Sequence, residues 1–200
     1  MKHVYRTTAA CAAALITLTL AGCGSDDAGS MPGMNHSSSS TPAATYNDAD
    51  VTFTTQMIPH HQQAVQMAGM AGYQATTPAV KKLAAAIEAA QDPEIKLMSG
   101  WLTSWGKPVP SPEHGGHNMS GDGMMTEEEM SELGNAKGAM FDRMWTQMMI
   151  KHHQGAITMA KTEQTNGKNP ASIALAKKIQ SAQTTEIATM KRLLGQLPVS

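Results

Sequence analysis

Twelve residues, Met57-Ile58-Pro59-His60-His61-Gln62-Gln63-Ala64-Val65-Gln66-Met67-Ala68, recur 92 positions later as Met149-Ile150-Lys151-His152-His153-Gln154-Gly155-Ala156-Ile157-Thr158-Met159-Ala160. The same offset runs on without a gap. It pairs Pro78 with Pro170, Ile87 with Ile179, Gln91 with Gln183, Glu94 with Glu186 and Met98 with Met190. Upstream it pairs Asp50 with Asp142. A repeat this long means one structural unit used twice, so any fold for this chain must accommodate two equivalent halves. Each half carries two adjacent histidines in a methionine-rich segment.

The unit is expected to be a helical hairpin. In residues 51–73, apolar side chains recur at three and four, the period of a helix face. Asp50 is expected to be the N-cap, and Pro59 to kink this helix because it cannot donate to the Thr55 carbonyl. Pro78 opens a second helix at a first-turn position, and Gly106 with Pro108 stops it. In the second half, Thr126 and Glu129 fit a capping box for a short helix to about Asn135. Gly134 and Gly138 break it before the His152-His153 helix, residues 166–169 turn, and Pro170 starts the last helix. Only 4% of residues are aromatic, which disfavours a sheet. The expected fold is all-α: an antiparallel four-helix bundle built from two repeated hairpins. An approximate two-fold axis would bring both His-His helices to the centre.

The chain is expected to begin with a lipoprotein signal, residues 1–22. Lys2 and Arg6 precede an apolar run too short to cross a bilayer, which ends in Leu20-Ala21-Gly22-Cys23. This pattern makes Cys23 the lipidated first residue of the mature chain, anchored to the membrane. Cys11 leaves with the signal, so no free thiol remains for a disulfide or a thiolate site. The formal charge of −1 offers no basic excess for nucleic acid. Residues 23–47, rich in Ser, Gly, Ala and Thr, read as a tether. The domain then spans 48–200, with repeats 48–106 and 126–200 around a Met- and His-rich linker, 107–125.

Neighbouring residues on a helix point about 100° apart, so the two rings of each pair face different neighbours. Met57 lies three and four residues before His60 and His61, and Met149 stands likewise before His152 and His153. Met67 and Met159 lie about two turns beyond. Four imidazoles in an apolar bundle cost free energy unless each is paired or ligating. Glu94 and Glu186, in Gln-x-x-Glu-Ile-x-x-Met, are placed to orient a ring or to ligate. Linker residues His114, His117, Met119, Met124 and Met125 form a second candidate set. Thioether and imidazole without thiolate suit copper: Cu(I) takes Met sulfur and Cu(II) takes imidazole. Di-iron bundles use four carboxylates and two histidines, and this set inverts that ratio. A metal-dependent oxidase acting on Cu(I) or Fe(II), or an interaction module without metal, are the alternatives.

These motifs resemble the exported, ferritin-like family catalogued as domain of unknown function 305, which includes CopM-like copper-binding proteins. The pattern Met-Ile-x-His-His-x-x-Ala-x-x-Met-Ala followed by Gln-x-x-Glu-Ile-x-x-Met stands at 57–68 with 91–98, and at 149–160 with 183–190. Phe141-Asp142 resembles the family's lead into its second His-His helix. The resemblance covers about residues 48–197. It implies a ferritin-like bundle and, as in some members, copper binding outside the cytoplasm, for buffering, resistance or transfer to a partner protein.

Overall fold

A computed structural model describes residues 45–111 and 123–198. The signal segment, Cys23, residues 23–44 of the tether, and linker residues His114, His117 and Met119 lie outside the described residues. Among the described residues five helices follow in order: α1 (Asp48–Gln74), α2 (Pro78–Ser104), α3 (Glu127–Asn135), α4 (Gly138–Asn166) and α5 (Pro170–Gln196). Among the described residues there is no strand. The ends of α2 and α5, and the C-termini of α1 and α4, match at the 92-residue offset. α1 packs on α2, α4 packs on α5, and α1 meets α4 to join the hairpins.

Two local expectations need correction. Asn47, not Asp50, is the N-cap of α1. Its side chain accepts from Asp50 N, and the Asp50 carboxylate accepts from Asn47 N, closing a capping box. The folded unit also starts earlier than residue 48. The Tyr46 ring stacks on Trp105 at 4.7 Å, and its hydroxyl donates to the Trp105 carbonyl. α1 itself runs unbroken through Pro59. The Thr126–Glu129 capping box stands as expected and the left-handed Gly138 opens α4, but Gly134 lies inside α3 and does not end it.

Each hairpin caps the other. The α2 N-terminus has no side-chain cap of its own. Asp142 on α4 supplies it, accepting from the backbone N–H and hydroxyl of both Thr76 and Thr77. Asp50 on α1 does the same at the other end, accepting from the backbone N–H of Lys168 and Asn169. Burial alone would raise the Asp50 pKa, but the donors from Asn47, Asn169 and Lys168 outweigh it and leave the group below the usual range.

The second clasp carries an extra acid. Glu163, 1% exposed, is buried beside Asp50 and Ser172, where the first repeat has Ala71 and Val80 facing Asp142. Burial, with the Asp50 charge adding, raises its pKa from 4.5 to about 7. Between those values the folded chain holds a proton that the unfolded chain has released, so stability falls as pH rises through that window. Glu163→Gln removes this dependence. The variant is expected to gain about 1–3 kcal/mol on the parent between roughly pH 5 and pH 8. Thermal melts at both pH values measure it, and an identical difference at the two would refute the assignment.

The apolar core is split in two. Phe53, Met57, Met98, Met159 and Ile179 belong to one cluster, and Trp145, Met149, Met190, Met67 and Ile87 to the other. These lists are images of each other under the 92-residue offset. Early α1 residues share a cluster with late α4 residues, so α1 and α4 run antiparallel. The four motif histidines are buried polar residues outside both clusters.

α3 breaks the symmetry by packing on α4 and hydrogen-bonding to α1 on one side only. Gln74 donates to its last turn at Gly134, and Gln63 exchanges two hydrogen bonds with the backbone of Met125 just before it. Position 155, the counterpart of Gln63, is glycine. Gly123 (φ 79°) packs there so closely that a Cβ would lie 2.6 Å from the Lys151 carbonyl oxygen.

Candidate metal centre

The motif places His60 and His61 at mid-length of α1, and His152 and His153 at mid-length of α4. All four are at most 1% exposed. The first histidine of each pair faces the axis between the hairpins, where the His60 and His152 rings meet with centroids 3.7 Å apart and planes tilted by 41°. The second turns to its own hairpin. His61 Nε2 lies 2.9 Å from Glu94 Oε2, and His153 Nε2 lies 2.7 Å from Glu186 Oε2. The Gln-x-x-Glu motif therefore has a physical role: one turn of α2 or α5 aims a carboxylate at one specific ring.

That contact sets the tautomer. With Nε2–H donating to the carboxylate, Nδ1 keeps the lone pair. Nδ1 of His61 and of His153 is buried without a hydrogen-bond partner, and so are both ring nitrogens of His152. Burial lowers the His61 pKa, with Glu94 opposing. Burial lowers that of His152 well below the usual value, and the neighbouring His60 and His153 push the same way. Both rings are neutral near pH 7, the form that ligates metal.

The flanking methionines divide between the two faces of the layer. Met57 and Met159 sit in one apolar cluster, Met149 and Met67 in the other; all but Met159, at 7%, are fully buried. Each face also receives the buried methionine of the Glu helix, Met98 or Met190. Among the described residues, no three His, Cys, Asp or Glu side chains are grouped to hold a metal ion. The candidate donors are imidazole nitrogens and the thioether sulfurs of the two apolar clusters, a set whose chemistry suits a soft cation.

The two carboxylates differ. Glu94 Oε1 also meets Lys178 Nζ at 3.2 Å. His61 and Lys178 together outweigh burial and hold the Glu94 pKa low. The counterpart of Lys178 is Ala86, and the Glu186 side chain is 20% exposed against 9% for Glu94. The repeat gave no sign of this lysine, because it occurs in one copy only. Of the linker set, Met125 is buried in the apolar cluster beside α3 and Met124 is half-buried.

Glu94→Gln with Glu186→Gln tests the orienting role, since the amide keeps the shape but not the charge. Loss of an outer partner of this kind typically costs about 10–100-fold in metal affinity. That loss is expected here for Cu(II), read by competition with a chelator at unchanged helicity. Undiminished affinity would remove the carboxylates from the site.

The chain matches several solved structures over most of its domain. CopM in its Cu(II)-bound form is 38% identical, with a TM-score of 0.65, over 74% of this chain and 96% of that one. A putative secreted protein of Streptomyces coelicolor is 32% identical, with a TM-score of 0.68, over 74% and 93%. A fragment from Deinococcus radiodurans is 31% identical, with a TM-score of 0.67, over 76% and 98%. Cu(I)-bound, silver-bound and apo forms of CopM match as well. No curated protein matches the chain. With the family model for the domain of unknown function 305 (DUF305) matching residues 50–194, the chain belongs to the DUF305 family.

Proposed function

We propose that this chain is a cell-envelope lipoprotein that binds copper through the histidine layer and its flanking methionines, for buffering, resistance or transfer to a partner protein. The observation that carries the reading is the layer itself. Four imidazoles are buried between two apolar clusters, and three of them hold nitrogens that nothing in the fold satisfies. Such groups cost free energy in an apolar bundle, and a bound ion offsets that cost. Relatives solved with Cu(II), Cu(I) and silver support copper as that ligand. The relative described as secreted, together with the Leu20-Ala21-Gly22-Cys23 pattern, supports a place outside the cytoplasm.

In this reading copper is cargo. His61 and His153 present Nδ1 with the ring held by Glu94 and Glu186, and His60 and His152 offer nitrogen where the hairpins meet. Because His61 and His152 are already neutral, binding near pH 7 needs no proton release from them. Met57, Met67, Met149 and Met159 complete the set for the reduced ion, and Glu94 and Glu186 serve as orienting groups or as ligands.

The test is equilibrium dialysis of the domain against Cu(II), and against Cu(I) under reductant, followed by elemental analysis. Retained copper is expected in both, and a metal-free chain after dialysis would sink the reading. Oxygen uptake on adding Cu(I) or Fe(II) would instead point to an oxidase. For the anchor, Cys23→Ser is expected to move the protein from the membrane to the soluble fraction.

A further inference from the structure

The two hairpins have equivalent grooves between α1 and α4, and the two differ in what lines them and what covers them. One groove is open, a cavity of about 310 Å³ bordered by Asp48, Thr52 and Gln56 of α1 and Thr162 of α4, among others. Shifting these four by 92 residues gives Met140, Met144, Met148 and Met70. Because the first four share one groove, the repeat places the four methionines around the other. That second groove is the one α3 lies over. Met70, Met144 and Met148 are partly buried there, and Met130 of α3 packs against the same cluster. Met140, 53% exposed, stands at the outer end.

From this juxtaposition we propose that the groove beneath α3, lined by Met70, Met144 and Met148, closed by Met130 and opened to solvent at Met140, is a thioether site for a soft monovalent cation, Cu(I) or Ag(I). The chemistry is specific. Thioether sulfur is a neutral, soft donor that favours Cu(I) over hard or oxidised cations. Met140, Met144 and Met148 follow one another at i, i+4, so neighbouring side chains are roughly 5–6 Å apart at Cβ and can share one ion. Met148 is one turn before His152, which joins the groove to the buried layer. Packing alone is a weaker account. A seat for α3 could be built from Leu or Ile, which specify a core better than Met does, and packing gives no reason for a methionine at exposed Met140. The equivalent positions in the other repeat are Asp, Thr, Gln and Thr, so the hairpin architecture does not itself require sulfur. This goes beyond the histidine layer proposed above and stands or falls separately from it.

The experiment is a silver titration of the domain carrying 13C-labelled methionine methyl groups, followed by NMR, on the parent and on the triple variant Met70→Leu, Met144→Leu, Met148→Leu. Leu is close to Met in volume, so the α3 seat is retained. In the parent, the methyl signals of Met130 and Met140 are expected to move at substoichiometric Ag(I). In the triple variant those shifts are expected to be lost and fewer silver ions bound per chain, with the fold checked by circular dichroism. A second variant, Met140→Leu alone, keeps the test open if the triple one is destabilised; it should weaken or slow silver uptake in the groove. Unmoved Met130 and Met140 signals in the parent, or unchanged silver stoichiometry in a folded triple variant, would overturn the site. Histidine ring signals in proton spectra of the same samples report the layer, so the two sites fail or succeed independently.

Discussion

Replacing His60 and His152 together by Ala is expected to remove most Cu(II) binding while leaving Cu(I) binding much less affected. The two rings meet at 3.7 Å between the hairpins, so the double substitution takes both imidazoles from the centre of the layer. The loss should exceed the ~10–100-fold typical of removing an outer partner, as read by competition against a chelator for each oxidation state. Met57→Leu with Met149→Leu should do the reverse, weakening Cu(I) at little cost in packing because the volumes are close. Acid should separate the two ions in the same way. An unperturbed imidazole takes its proton near pH ~6.5, but burial lowers the pKa of His61 and His152. Cu(II) release is therefore expected below that value, at the lowered pKa, and Cu(I) held by sulfur should persist to lower pH because a thioether has no proton to gain. If both double variants bind both ions like the parent, the layer is not the site, and linker residues His114, His117, Met119, Met124 and Met125 become the better set.

Asp142→Ala is the substitution expected to cost the most stability. Its carboxylate is fully buried and accepts from four donors, at 2.6–3.3 Å, on the two threonines that precede α2. It is also a negative charge at a helix N-terminus, a favourable pairing with the helix dipole. Alanine would remove the acceptor from all of those donors, which are exposed at Thr76 and half-buried at Thr77, a loss on the order of 2–3 kcal/mol. For a domain of this size that lowers the melting temperature by about 5–10 °C. Because donor and acceptor lie on different hairpins, the variant should also loosen the α1–α4 contact, visible as faster amide exchange in the histidine turns. Asp142→Asn, which can still accept, should fall between. A melting temperature within about 2 °C of the parent would show that the clasp contributes little.

Some of the candidate site was legible because it is local or repeated. The 92-residue offset picked out His60 with His152 and Glu94 with Glu186, since matched positions in two copies must serve the same unit. Features present in one copy had no such signal. Lys178, which holds Glu94, and Glu163, which lies beside Asp50, look like ordinary helix residues until their hairpins are docked. The N-cap of α1 was misplaced by three residues because Asn47 and Asp50 can each act as a cap, and the reciprocal bond between them is a matter of three-dimensional geometry.

By itself, then, the sequence determined the helical hairpin, its duplication, its helix boundaries to within a few residues, and which side-chain types stand at the centre of each unit. These follow from period, breakers and side-chain type, all of them local properties of the chain. It also required the two rings of each His-His pair to diverge, because neighbouring helix positions are about 100° apart. Which ring takes the carboxylate, and which meets its counterpart in the other hairpin, was decided only when α1 packed against α2 and α4. The same docking decided that Asp50 and Asp142 cap helices more than sixty residues away. It decided as well that α3 covers one groove and leaves its twin open. Such contacts depend on the rotation and register of one helix against another, set by the packed core as a whole and not by the pattern along any single helix.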